Sequence, residues 1–187
     1  MTNTGVILYG PPASGKDTVT EALSALDGRY AYFHKLKVGA GRTAGYRLTT
    51  AEELDDLRER GQVLYEFSRY EATYAVDAPG LAEVGQAGRV PIVHMGQLAG
   101  IAALQGPHTR WLDVLLWCSR ETTEKRLSAR GSTDIHRRLT AWDETALDLG
   151  ADGRERFTLS IRTDALSAST VAQVIHAAAQ GTFNPDH

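Results

Sequence analysis

The chain has 187 residues, 42% hydrophobic and 23% charged, with a formal net charge of −3. Those proportions exclude a disordered, collagen-like or low-complexity protein and suit one domain. The acidic balance argues against a general nucleic-acid binder, and no apolar run approaches the roughly 20 residues that cross a bilayer, so neither nucleic acid nor membrane is an expected partner.

The start of the chain lacks the basic segment and apolar core of a signal peptide, and Cys118 is the single cysteine, so a cytoplasmic home is expected. Residues 5–9 (GVILY) form a short apolar run ending at Gly10 and predict a buried strand. A Gly/Pro turn follows. Residues 16–26 are helical in period, with Val19, Leu23 and Leu26 on one face and Asp27-Gly28 as the stop. A second strand is expected at 30–36, then a glycine-rich basic loop at 37–46. Thr50-Ala-Glu-Glu is a capping box that opens a helix, which Gly61 ends. Short strands are expected within 62–74. Further strands are expected at 89–94, 112–118 and 157–162, with helices at 96–104, 122–130, from 132–134 to 149, and 170–179. Trp111, Trp117 and Trp142 read as core.

Strands alternating with helices imply a parallel sheet with crossovers, whose ligands lie at the C-terminal strand ends. The fold expected is three-layer α/β, a five-stranded parallel sheet flanked by helices. It comprises a core of 1–36 and 78–187, an inserted lobe at about 37–77 and a lid at about 128–136.

The loop Gly10-Pro11-Pro12-Ala13-Ser14-Gly15-Lys16-Asp17-Thr18 is the strongest signal. A phosphate chain needs backbone N–H groups converging without side chains in the way, and a helix that turns its positive end toward them. Lys16 would reach the β- and γ-phosphates of ATP. The pattern asks for Ser or Thr after the lysine; here Asp17 stands there and Thr18 comes one later. Asp17 is either a ligand of Mg²⁺ or its waters, or a carboxylate that suits the helix dipole.

At these residues the sequence resembles the nucleoside monophosphate kinases, guanylate kinases in particular; adenylate kinases also carry a non-hydroxyl residue after the lysine, followed by Thr. Gln62-Val-Leu-Tyr-Glu66 is similar to the guanylate kinase stretch whose glutamate binds guanine. Tyr74-Ala-Val resembles the Tyr-Gly-Thr whose tyrosine holds the substrate phosphate, and Gly45-Tyr46 with the following helix places Tyr46 as the second such tyrosine. Arg130-Gly-Ser-Thr-Asp and then Arg137-Arg138-Leu are similar to the lid and the arginine motif after it.

The family's two-arginine loop is shortened here, which leaves Lys35, Lys37 and Arg42 as cations. His94-Met-Gly-Gln97 stands where the family has an acid, and Val76 replaces its threonine. Bacterial ribose bisphosphate kinases share this loop style and lack parts of the guanine site.

The resemblance implies transfer of the γ-phosphoryl of ATP, with Mg²⁺, to a small phosphorylated acceptor, most plainly a nucleoside monophosphate. A kinase of a sugar phosphate or of another specialised small molecule is the alternative. A non-catalytic guanylate-kinase-like module is a third reading, against which Gly15-Lys16 counts. Lys16, Arg130 and Arg138 would serve catalysis, and Lys37, Arg42, Tyr46, Glu66 and Tyr74 would bind the acceptor. Several residues keep a second reading: Glu66 pairing with Arg69, Tyr46 and Tyr74 in a small lobe core, Arg126 on a solvated helix face, and His34 and His94 as pocket walls.

Overall fold

Residues 6–9 expose no surface at all, which places the first strand in the middle of a sheet covered on both faces. The computed structural model describes residues 3–41, 43–69, 71–106, 109–150 and 153–183. The chain begins with β1 (Asn3–Tyr9), α1 (Lys16–Leu26), β2 (Tyr30–Tyr32), β3 (Lys35–Val38) and β4 (Tyr46–Leu48). It continues through α2 (Ala51–Glu59), β5 (Val63–Arg69), β6 (Ala72–Asp77), α3 (Ala78–Gln86), β7 (Val90–Met95) and α4 (Leu98–Leu104). Then come β8 (Thr109–Trp117), α5 (Arg120–Ala129), α6 (Ile135–Leu149), β9 (Leu159–Arg162) and α7 (Ala168–Phe183). Among the described residues no helix is long and apolar enough to cross a membrane.

Five strands form one parallel sheet in the order β2-β7-β1-β8-β9. Alternation along β1 divides the core. Val6 and Leu8 pack with Val19 and Leu23 of α1 and Val171 and Ile175 of α7. Ile7 and Tyr9 face the other way, onto Leu81 of α3, Ile101 of α4 and Leu149 of α6. The result is the expected helix–sheet–helix sandwich. Trp117 is buried in the second cluster, with Trp111 and Trp142 packed against it.

The second strand departs from expectation. Residues 30–36 divide between two sheets: β2 stays in the parallel sheet, and after Phe33 and His34 the chain enters β3, which belongs to a separate four-stranded sheet of order β4-β3-β6-β5. Lys37 and Tyr46, expected at the ends of a loop, are strand residues of that sheet. Its start at Lys35 lies two residues before the expected boundary.

The helix α3 has no counterpart in the sequence reading. Pro79 and Gly80 look like a break, yet proline fits a first helical turn. Asp77 caps it by accepting from Gly80 N–H at 2.9 Å. The Arg47 guanidinium packs against Gly80 so closely that a Cβ there would lie 2.4 Å from it. Arg47 also pairs with Asp77 and donates to His34 O at 2.8 Å, which pins both chain crossings between the two sheets.

Candidate functional site

The glycine loop leaves β1 at the C-terminal edge of the parallel sheet. Gly10 is required by close approach, since a Cβ would sit 2.2 Å from Leu116 O of β8. Gly15 is required by conformation, with φ at 95° just before α1. Pro11 and Pro12 bring no N–H, so the loop's donors come from the Ala13–Ser14–Gly15 turn and the first turn of α1, whose amides lack intrahelical acceptors.

Three neighbours brace the loop from outside. Arg126 donates to Ala13 O at 2.9 Å and to Thr163 O at 2.7 Å, Thr163 Oγ1 donates to Ser14 O at 2.8 Å, and Gly10 N–H reaches Met95 O at 3.3 Å. Arg126 is therefore a strut, not a solvated surface residue. The long-range partner Thr163 carries no local motif, so sequence reasoning had no signal for it.

Lys16 is half-buried. Its ammonium donates to Gly10 O at 2.6 Å and Pro11 O at 2.8 Å and lies 3.4 Å from Ser14 Oγ. Desolvation lowers its pKa to about 8 against the opposing pull of Asp17. Asp17 and Thr18 are exposed in the first turn of α1. Asp17 Oδ1 lies 3.5 Å from His94 Nδ1, and His94 Nε2 bonds Thr20 Oγ1 at 2.7 Å. Burial, with Lys16 and Lys35 nearby, holds the His94 pKa well below its ordinary value, so this ring is a neutral wall. Its tilted ring contact with Tyr32, with centroids 4.6 Å apart, completes that side.

Beside the loop opens a cleft of about 300 Å³. Its core side is Gly10, Pro12, Ala13, Gly15, Lys16, Asp17 and His94; its lobe side is Lys35, Tyr46, Phe67 and Arg69; Arg130 and Arg138 complete it from α5 and α6. Arg130 is the exposed C-cap of α5, and Arg138 Nε is held by Asp134 Oδ1 at 2.7 Å. Among the lining residues five are cationic and Asp17 is the one carboxylate, so the cleft suits anions. A second pocket of about 280 Å³ adjoins it through Gly15 and Arg130, with Arg126, Thr163, Leu166 and Val171 in its walls.

Not every expected site residue reaches the cleft. Alternation on β5 sends Phe67 inward and Glu66 outward, where Arg58 Nε bonds it at 2.9 Å. Glu66 pairs with Arg58 of α2 and does not line the cleft, and Arg69 pairs with Glu144. Lys37 is 1% exposed, its ammonium donates to Ala40 O beneath the 39–41 turn, and it does not line the cleft. Tyr74 is buried, stacked on Phe67 with centroids 5.2 Å apart, and touches Tyr46 at 5.1 Å. Of the two tyrosines only Tyr46 lines the cleft. Arg42 lies outside the described residues.

The chain aligns over 96% of its length with 86% of a guanylate kinase from Anaplasma phagocytophilum, at TM-score 0.64 and 16% identity. It also aligns over its whole length with 96% of a shikimate kinase from Acinetobacter baumannii solved with shikimate, at TM-score 0.50 and 17% identity. No protein-family model matches the sequence, nor does any curated protein. The chain has a guanylate kinase-like P-loop kinase fold. Here the glycine loop and the arginines at 130 and 138 line one cleft beside the five-stranded parallel sheet.

Proposed function

We propose that the chain is an ATP-dependent phosphotransferase whose acceptor already carries a phosphate. One observation carries this reading: a single cleft joins the glycine loop and Lys16 to two helix-end arginines and a cationic lobe wall. Loop amides and Lys16 hold the β- and γ-phosphates of the donor. The adjoining pocket, with the Arg126 and Arg130 guanidiniums near apolar Leu166 and Val171, suits a flat base. Arg130 and Arg138 balance the charge that spreads over the equatorial oxygens as the phosphoryl group moves. An acceptor phosphate oxygen is already anionic, so no general base is required, consistent with His94 kept neutral.

The donor set fits a hard cation that retains most of its own waters. Asp17 is an exposed carboxylate on the cleft floor, and no group of three or more acidic, His or Cys side chains gathers among the described residues. Asp17, with Thr18 beside it, would hold Mg²⁺ through such waters, and the ion would neutralise phosphate charge.

The placement of Glu66 favours a sugar phosphate or another small phosphorylated acceptor over a guanine nucleotide. With Glu66 turned out, no carboxylate on the described lobe wall is left to accept from N1–H and N2–H₂ of guanine. Coupled ADP release, screened over GMP, dGMP, other nucleoside monophosphates and sugar phosphates, tests both statements. Turnover is expected with phosphorylated acceptors and is expected to vanish with their dephosphorylated forms. ADP release indifferent to every acceptor would overturn the proposal.

A further inference from the structure

Among the described residues, Lys35 is the cation whose position a structural role explains least. It sits on β3, 8% exposed, and opens on the cleft. Its ammonium lies 4.9 Å from the Phe67 ring centroid, and among the described residues no carboxylate pairs with it. Its neighbours are treated differently: Arg47 has Asp77, Arg69 has Glu144, Arg138 has Asp134, and Lys37 has the Ala40 carbonyl. A lysine kept for packing alone would cost less as methionine, because a buried ammonium without a counter-charge is expensive. Burial first, and then Lys16, lower its pKa to about 7. Two ammoniums therefore face one cleft from opposite walls, with a loop built for phosphate beside the first. An anion near Lys35 relieves both the desolvation and the repulsion, and a phosphate monoester offers three acceptor oxygens to three ammonium donors.

We propose that Lys35 is the residue that binds the acceptor's phosphate monoester, with Arg69 on the same wall. The assignment rests on the phosphotransferase reading above and adds to it a recognition residue on the lobe. The titratable and charged groups that line the cleft with Lys35 are Lys16 and Asp17 from α1, Tyr32 from β2, His94 from β7, Tyr46 from β4, Arg69 from β5 and the arginines at 130 and 138.

The test uses inorganic phosphate as the probe, titrated by calorimetry into protein saturated with AMP-PNP and Mg²⁺, so that the donor side is filled. Lys35→Met is expected to bind AMP-PNP within about twofold of wild type but phosphate at least about tenfold more weakly. At pH 8, wild type is expected to take up a proton as phosphate binds, read as a difference in heat between buffers of unlike ionisation enthalpy.

Lys35→Arg separates a binding role from a structural one. It should still bind phosphate, yet without proton uptake, because a guanidinium is already charged. Phosphate affinity unchanged in Lys35→Met, or proton uptake persisting in Lys35→Arg, overturns the assignment. Should Lys35→Met fail to fold, the proton count of Lys35→Arg decides alone. Failure of AMP-PNP to bind wild type instead refutes the phosphotransferase reading, a result distinct from failure at Lys35.

Discussion

The two walls of the cleft are made differently. The core wall is mainly one stretch of contiguous chain, 10–17, with His94 of β7 beside it; its features lie mostly in backbone, with two glycines, an exposed helix start and one lysine. The lobe wall is drawn from three strands, with Lys35 from β3, Tyr46 from β4 and Phe67 and Arg69 from β5, and its function lies in which way side chains point. A contiguous loop tolerates little change, because each glycine answers a steric demand. A wall of separate strand residues changes its chemistry with one substitution or one shift of register. Under the proposed phosphotransferase reading, the core wall would fix the kind of reaction and the lobe wall what the reaction acts upon.

The largest expected effect falls on the core wall. Lys16→Ala should lower kcat by about 10²–10³-fold or more while leaving the thermal midpoint near that of wild type. Its ammonium contacts loop carbonyls, not the apolar core, so little buried surface is lost. Steady-state kinetics with a thermal melt check this, and normal turnover in the variant would remove the core wall from the chemistry.

Next come the arginines that close the cleft from the helix ends. Arg130→Ala and Arg138→Ala should each lower kcat by about 10²-fold and raise KM far less, because their partner charge develops in the transition state. Asp134→Asn should produce a weaker version of the Arg138 defect, since it frees the guanidinium from its 2.7 Å anchor. Variants that changed only KM would make these arginines clamps on the ground state, and the difference between walls would fade.

How much of this was legible in the sequence follows the same division. The glycine loop, its helix and the parallel sheet were readable because a few adjacent residues meet a local physical demand. So were the positions of Arg130 and Arg138, which follow from helix ends. The lobe was legible only as an insertion. Its strand phase decides that Glu66 faces out while Phe67 faces in, and that phase is set by pairing with β6, including the irregularity between Val63 and Tyr65. Nothing in the run Gln62–Glu66 records it. The second strand departs from expectation for a related reason: 30–36 is one aromatic-rich run with no turn residue to break it, but the backbone changes sheets at Phe33 and His34, where Arg47 anchors it from 13 residues away. Arg126 and Thr163 brace the loop across 113 and 149 residues, contacts only tertiary structure can make.

Acidity separates the walls on a finer scale. Lys35 titrates at about 7 and Lys16 at about 8, both below the ordinary lysine value. An anion favours the ammonium form, so acceptor affinity should decline by up to about tenfold per pH unit above pH 7, with donor affinity following about one unit later. In the unliganded protein the sign reverses. The unfolded chain holds these two protons more firmly than the folded one, so stability should rise with pH from about 7 toward the unfolded lysine value near 10.5. Binding and thermal melts between pH 6.5 and 9.5 check both trends, and Lys35→Arg should flatten the acceptor's curve alone.

The smallest expected effect is the one that most sharpens the division. Glu66 and Arg58 bond at 2.9 Å with both side chains 40% exposed, on the side of β5 away from the cleft. Glu66→Gln keeps the shape and removes only the charge of a solvated pair, which contributes little in water. The variant should show the wild-type thermal midpoint and a KM for any acceptor within about twofold of wild type. Had the carboxylate read the edge of a guanine, losing it would leave buried donors unpaired and raise KM for GMP by about tenfold or more. Measuring both Michaelis constants for GMP and for a sugar phosphate therefore tests the strand phase itself. A large, GMP-specific rise would mean that Glu66 faces the cleft when the acceptor binds, and the lobe wall would then read a base as well as a phosphate.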